Sequence, residues 1–133
     1  VSHAFLDCLE ASGSAGRATG WLPLHVLARD GGSGELRGCC PLYLKSHSAG
    51  EYVFDQAWAD AYYQITGRDY YPKLQSCVPF APVTGPRLLA GDVETRAALA
   101  QALVEVTEQT GASSLHLTFN TEEEWRLVAE RGG

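Results

Sequence analysis

The sequence predicts an α/β fold built on a mixed sheet, and three observations carry that prediction. Leu22, Leu24, Val26 and Ala28 alternate with other residues, which is a strand signal, and the turn Asp30-Gly31-Gly32-Ser33-Gly34 sends the chain back through residues 36–44 as a hairpin. A long helical pattern fills residues 93–110. That helix stands between two short apolar segments, residues 74–80 and 114–119, an order that calls for a parallel pair joined by a right-handed crossover.

Each element has a local reason. Residues 3–12 read as a short helix with Phe5, Leu6 and Leu9 on one face, ended by Ser12-Gly13-Ser14-Ala15-Gly16. Thr19-Gly20 leads into the first strand, where Pro23 lacks a ladder donor and so belongs near the strand start or on an edge. His25 reads as a strand residue with a satisfied ring. Residues 51–65 form the next expected helix, with Phe54, Trp58, Ala61 and Ile65 on a core-facing stripe and Gly67 as its cap. Tyr70-Tyr71-Pro72-Lys73 is an extended link, because a residue before proline avoids the helical region. In the strand over 74–80, Val78 and Phe80 share one face and Cys77 takes the other. Asp92 is the N-cap of the long helix, Ala98, Leu99, Ala102, Leu103 and Val106 are its apolar stripe, and Gly111 ends it. The strand over 114–119 is expected at a sheet edge, paired with a segment beyond this chain. Thr121-x-x-Glu124 is a capping box opening a last helix, with Trp125 and Val128 as core contacts.

Composition narrows the classes of function. A chain of 133 residues suits one domain, and 45% hydrophobic with 20% charged residues is ordinary globular composition. A net charge of −6 and a pI near 5.1 argue against a nucleic-acid-binding face. No apolar run approaches the roughly 18 residues of a membrane span, and no basic-then-apolar start suggests a signal peptide. Cys8, Cys39, Cys40 and Cys77 show neither C-x-x-C spacing nor the density of a disulfide scaffold, so they read as reduced thiols of a cytoplasmic protein. Adjacent Cys39 and Cys40 would point to opposite strand faces, and no metal site is expected.

The chemistry concentrates in residues 45–89, which hold five of the six Tyr and four of the six Pro, with charges set among the aromatics. The expected substrate-binding surface comprises Lys45, His47, Glu51, Tyr52, Asp55, Tyr70, Tyr71 and Lys73. His47, Glu51 and Asp55 are candidate bases and Tyr52, Tyr70 and Tyr71 candidate hydrogen-bond donors. Glu51 and Asp55 have two readings: acids complementing a helix dipole, or acids facing a ligand amine. Lys45 and Lys73 could instead take an acidic acceptor. Thr84-Gly85-Pro86-Arg87 lies between a strand and a helix, where backbone N–H groups can hold an anion and Arg87 can bind phosphate or carboxylate bidentately. Thr84, Gly85 and Arg87 are therefore the expected anion-binding loop, although Pro86 removes one N–H. The alternative is a structural turn to which Gly85 gives freedom.

Three uncommon blocks occur in order: K-S-H-S-x-G-E-Y-V-F-D at 45–55, Y-Y-P-K-L-Q at 70–75, and P-F-x-P-V-T-G-P-R-L-L at 79–89. With the Trp21 hairpin and S-S-L-H-x-T-F at 113–119, they resemble the bacterial FemAB-like proteins of peptidoglycan biosynthesis and recognition, relatives of the GNAT acyltransferases. The resemblance implies a single GNAT-like domain over 1–133, as the N-terminal portion of a longer tandem protein. It implies acyl or aminoacyl transfer to an amine acceptor, which needs a base and an oxyanion donor, with no bound cofactor, with Thr84, Gly85 and Arg87 as the donor-binding loop, and with either acyl-CoA or aminoacyl-tRNA as donor. The implied partners are a small-molecule or peptide acceptor and the remaining half of the same protein, with no membrane span. The competing expectation is a non-catalytic module recognising a peptide or cell-wall precursor.

Overall fold

The structure is a computed structural model, and it describes residues 2–49, 51 and 55–131. In chain order the elements are α1 (His3–Ala11), a 3-10 turn at Arg17–Thr19, β1 (Trp21–Pro23), β2 (Val26–Arg29), β3 (Leu36–Cys40), β4 (Tyr43–Lys45), α2 (Gln56–Thr66), β5 (Lys73–Ser76), β6 (Leu89–Ala90), α3 (Val93–Thr110), β7 (Leu115–Leu117) and α4 (Glu122–Arg131). The expected α/β class with a mixed sheet is what forms. One sheet has the order β1-β4-β5-β7 and a second the order β2-β3-β6. The pairings are antiparallel except for β5 with β7, which run parallel on either side of α3. No helix among the described residues is long and apolar enough to cross a membrane.

The expected hairpin is present but shared between the two sheets. Pro23 faces Tyr43 in one and Val26 faces Cys40 in the other, in the same register. Between them Leu24 N–H donates to the Leu42 carbonyl (2.8 Å), while Leu42 N–H turns aside to His25 Nδ1 (3.1 Å). His25 Nε2 meets Glu10 Oε1 at 2.8 Å, so both ring nitrogens are used in holding the strand break to α1. The ring is satisfied, as its strand position suggested.

Period-two alternation gives the four-stranded sheet two unlike faces. Leu44, Leu74, Leu115 and Leu117 join Leu42, Leu88, Leu99 and Leu103 in the main core, under α3 and α4. The opposite face carries Trp21, Tyr43, Lys45, Lys73, Gln75 and His116. Part of it is covered where Ala15 and Leu9 pack on Trp21, Tyr43 and Cys77, and the rest lines a cleft.

α3 has the expected bounds, and Asp92 caps it by accepting from Thr95 N–H (2.7 Å). Its buried face is Ala97, Leu99, Ala100 and Leu103; Ala98 is exposed and Ala102 and Val106 half-buried. The capping box also forms, with Thr121 N–H to Glu124 Oε2 and Glu124 N–H to Thr121 Oγ1, both 3.3 Å. Three expectations are corrected. α2 starts at Gln56 rather than at 51 and buries no residue; Trp58 and Ile65 of its apolar stripe are 73% and 83% exposed, and Phe54 lies outside the described residues. In α4 Trp125 is exposed, and the buried side chain is Glu124, whose Oε1 accepts from the Arg87 and Leu88 amides at 2.7 and 2.6 Å; Val128 does reach the core. The segment after residue 76 leaves the sheet, and β6 stands between that loop and α3.

A close approach at Gly38 sets how α3 and β6 sit on β3. A Cβ there would lie 2.9 Å from Ala90 Cβ and Thr95 Cγ2, and 3.0 Å from the Leu89 carbonyl. Gly38→Ala is expected to destabilise the fold by about 1–3 kcal/mol through overpacking, measured as a lower urea midpoint with unchanged slope.

Candidate functional site

The open part of the polar sheet face forms a cleft of about 600 Å³. Its floor is β5 and β7 with the residue that follows each (Lys73, Gln75 and Cys77; His116 and Thr118), and its walls include Trp58 and Tyr62 of α2, Tyr70, Trp21, Phe80 and Phe119. A cleft of mostly aromatic surface with a few convergent polar groups is what small-ligand sites have in common.

Two ion pairs lie at one end, and both follow from sheet register. Lys45 of β4 stands opposite Lys73 of β5, so alternation aims both lysines to the same side. Like charges placed there need counter-charges, and the returning chain supplies them: Glu51 contacts Lys45 and Asp55 contacts Lys73. Lys45 is fully buried, with its Nζ 3.6 Å from the centre of the Trp21 ring, a cation–π contact. Burial and the neighbouring Lys73 charge push the Lys45 ammonium down to about 8, against the opposing pull of the Cys77 and Asp55 side chains. Burial raises the Asp55 carboxyl, but hydrogen bonding from Lys73, Ser48 and Tyr71 and the Lys73 charge outweigh it and hold Asp55 well below the usual carboxylate range. Tyr71 donates to Asp55 Oδ1 (2.5 Å), and Ser48 Oγ lies 2.6 Å from the same tyrosine oxygen. Burial, with the Asp55 charge, lifts Tyr70 and Tyr71 to about 12, so both hydroxyls keep their protons.

These contacts bear on the helix-dipole reading of the acids. The helix starts after Glu51, and the Asp55 side chain makes no capping bond to α2. Both carboxylates serve the lysines instead. Lys45, Glu51, Asp55, Tyr70, Tyr71 and Lys73 are thus brought together. Tyr52 lies outside the described residues. His47 is exposed; its ring sits on Gly20, where a Cβ would be 2.6 Å from Nε2, and its Nδ1 accepts from Ala49 N–H (3.2 Å).

The expected donor loop has a different geometry. Arg87 is fully buried, and its guanidinium donates to the carbonyls of Thr118 (3.1 Å), Pro86 (3.3 Å) and Val83 (2.7 Å). The cation expected to face a donor therefore holds the loop to the end of β7. Thr84 is exposed, and Gly85 N–H is taken by the Phe119 carbonyl (3.0 Å). The N-terminus of α3, expected to follow the loop, follows β6 and is occupied by the Asp92 carboxylate.

The residue that the sequence reading passed over is His116. Its Nε2 lies 2.8 Å from Ser114 Oγ and 3.3 Å from the Tyr70 hydroxyl. Burial and the Lys73 charge hold its pKa below the ordinary 6.5, so the ring is neutral at neutral pH. The signal was a histidine on an alternating strand, visible only once β7 is known to lie beside β5. At the same end of the sheet Phe80 and Phe119 adopt positive φ (63° and 55°), a left-handed conformation costing about 1 kcal/mol or more for a residue with a side chain. Such strain is retained where it positions a group, and both rings line the cleft.

A family model, FemAB-like, described as peptidoglycan biosynthesis/recognition, matches residues 1–133. No curated protein and no solved structure gives a significant match.

Removing one member of a buried ion pair strands the other. Asp55→Asn and Lys73→Met are each expected to cost about 3 kcal/mol in urea unfolding, and the double variant less than the sum. The depressed Asp55 pKa adds stability that is complete above its ordinary 3.8 and lost as pH falls through the lower folded value. Wild type should therefore lose more stability than Asp55→Asn on acidification below 3.8.

Proposed function

We propose that this chain, which belongs to the FemAB-like family of peptidoglycan biosynthesis and recognition proteins, binds the amine acceptor of an N-acyl or aminoacyl transfer in the cleft on its polar sheet face. The observation that carries this reading is His116, a neutral imidazole in an aromatic-walled cleft whose neighbouring charges are already paired. Acylating an amine requires a group to take the amine's proton as the nitrogen attacks the donor carbonyl. Asp55 is poorly suited, being a weak base in contact with Lys73. His116 is suited by its protonation state, and the Ser114 and Tyr70 hydroxyls orient its ring. Tyr70, protonated throughout the neutral range, can donate to the oxyanion that develops on the carbonyl.

In this reading residues 1–133 act as one GNAT-like unit of a longer tandem protein working on a cytoplasmic precursor. The remainder of that protein helps to hold the donor, either acyl-CoA or aminoacyl-tRNA. A net charge of −6 weighs against tRNA being held by this portion alone. A second reading, recognition of a peptide or cell-wall precursor without catalysis, is favoured by Arg87, since the one arginine of the expected donor loop is spent on backbone carbonyls.

The test combines calorimetric binding of a synthetic peptidoglycan stem peptide bearing a free amine with mass measurement of that peptide after incubation with acetyl-CoA or charged tRNA. A mass gain supports transfer, binding without gain supports recognition, and absence of binding overturns both. Under the transfer reading His116→Ala lowers the rate on the order of 100-fold. The wild-type rate should fall only as pH drops through a midpoint below 6.5.

A further inference from the structure

The ion pairs account for one end of the cleft, and two polar groups deeper in it are unaccounted for. Gln75 is 7% exposed and its Oε1 has no hydrogen-bond partner among the described residues; its Nε2 is turned to Cys77 Sγ at 3.6 Å. Thr118 Oγ1 is likewise buried and without a partner among the described residues. Both residues line the cleft. Gln75 stands beside His116 in the parallel pairing, and Thr118 N–H donates to the Ser76 carbonyl (3.1 Å), so the two groups lie on adjacent strands at neighbouring register levels.

A buried polar group without a partner is costly, and the cost falls when a ligand supplies the partner. Gln75 Oε1 can only accept, whereas a threonine hydroxyl can donate. An acceptor and a hydroxyl facing one space complement a group that presents both N–H and C=O. Charge adds a second constraint. Lys45 with Glu51, and Lys73 with Asp55, cancel in pairs, so this floor offers no uncompensated charge to an ionic ligand group. Phe80 and Phe119, both at positive φ, supply flat apolar walls beside it, and Phe80 is braced by Trp21 at a centroid distance of 5.3 Å.

We infer that the C-terminal ends of β5 and β7 form a subsite for an uncharged secondary amide of the ligand, whose N–H donates to Gln75 Oε1 and whose C=O accepts from Thr118 Oγ1. The inference rests on the cleft being the ligand site, and adds what class of group is read there. A peptide bond and an N-acetyl group of an amino sugar share this chemistry, and the experiment separates them.

The full chain, labelled with nitrogen-15, is titrated with N-acetyl-L-alanine N′-methylamide, with N-acetylglucosamine and with the stem peptide used above. The Gln75 side-chain NH2 resonances and the Thr118 and Phe119 amides are followed. The blocked alanine is expected to shift these signals saturably if the amide is a peptide bond, and N-acetylglucosamine if it is the sugar's. Thr118→Val, which replaces the hydroxyl by a methyl of the same shape, should weaken binding about tenfold while leaving the melting temperature equal or higher. A hydroxyl with a structural role would lower it. Binding should also change little when salt is raised from 50 to 300 mM, because no unpaired charge contributes. Stem-peptide binding that Thr118→Val leaves unchanged, or that shifts none of these resonances, overturns the subsite and spares the cleft. Failure of all three ligands to bind overturns both.

Discussion

The strict alternation of side chains along β5 is the constraint on which the structure depends. Four consecutive residues, Lys73, Leu74, Gln75 and Ser76, are all buried, yet they serve opposite purposes. Leu74 enters the leucine core under α3, while Lys73 and Gln75 enter the cleft. Such a strand cannot shift by one residue, because a slip would put a lysine and a glutamine among leucines. β4 on one side and β7 on the other are held to the same register, and so the chemistry of one face is fixed by the hydrophobicity of the other.

Once Lys45 and Lys73 are aimed to one side, the rest of the site follows from electrostatics. Two neighbouring buried ammonium groups are tolerable only with counter-charges in contact. Glu51 and Asp55, which lie between β4 and α2 in sequence, supply them. A charge-dense stretch of sequence thereby becomes an electrically balanced wall. Membership of the FemAB-like family places this chain in a peptidoglycan context. In the proposed amide subsite, the balance of these charges leaves shape, aromatic contact and hydrogen bonds as the means of discrimination.

Legibility in the sequence followed how local each determinant is. α3 was legible to the residue because its start and stop are written in Asp92 and Gly111. The Thr121–Glu124 capping box was legible for the same reason. The α2 stripe misled, because helical periodicity reports that an apolar face exists and not that the domain covers it. Trp58 faces the cleft and Ile65 faces outward. Lys73 and Tyr71, on one strand and just before it, both meet Asp55, a proximity that their nearness in sequence made legible. Their roles were not legible, because Lys45 with Glu51 and Lys73 with Asp55 are pairings across space. Arg87 shows the limit most plainly: a glycine–proline–arginine turn reads the same whether its guanidinium meets a phosphate or three backbone carbonyls. His116 needed the parallel pairing of β5 with β7 before it meant anything.

α2 has a stability of its own. It is 11 residues long, near the length at which an isolated helix is marginal in water, and it buries none of them. Its described attachments are the Asp55 anchor at its start and the edge of Tyr62 against Tyr70, with ring centres 5.8 Å apart. Local opening of α2 is therefore expected to cost less free energy than unfolding the sheet. One wall of the cleft is thus held by fewer described contacts than its floor, so the α2 amides are expected to exchange with solvent faster than those of β5.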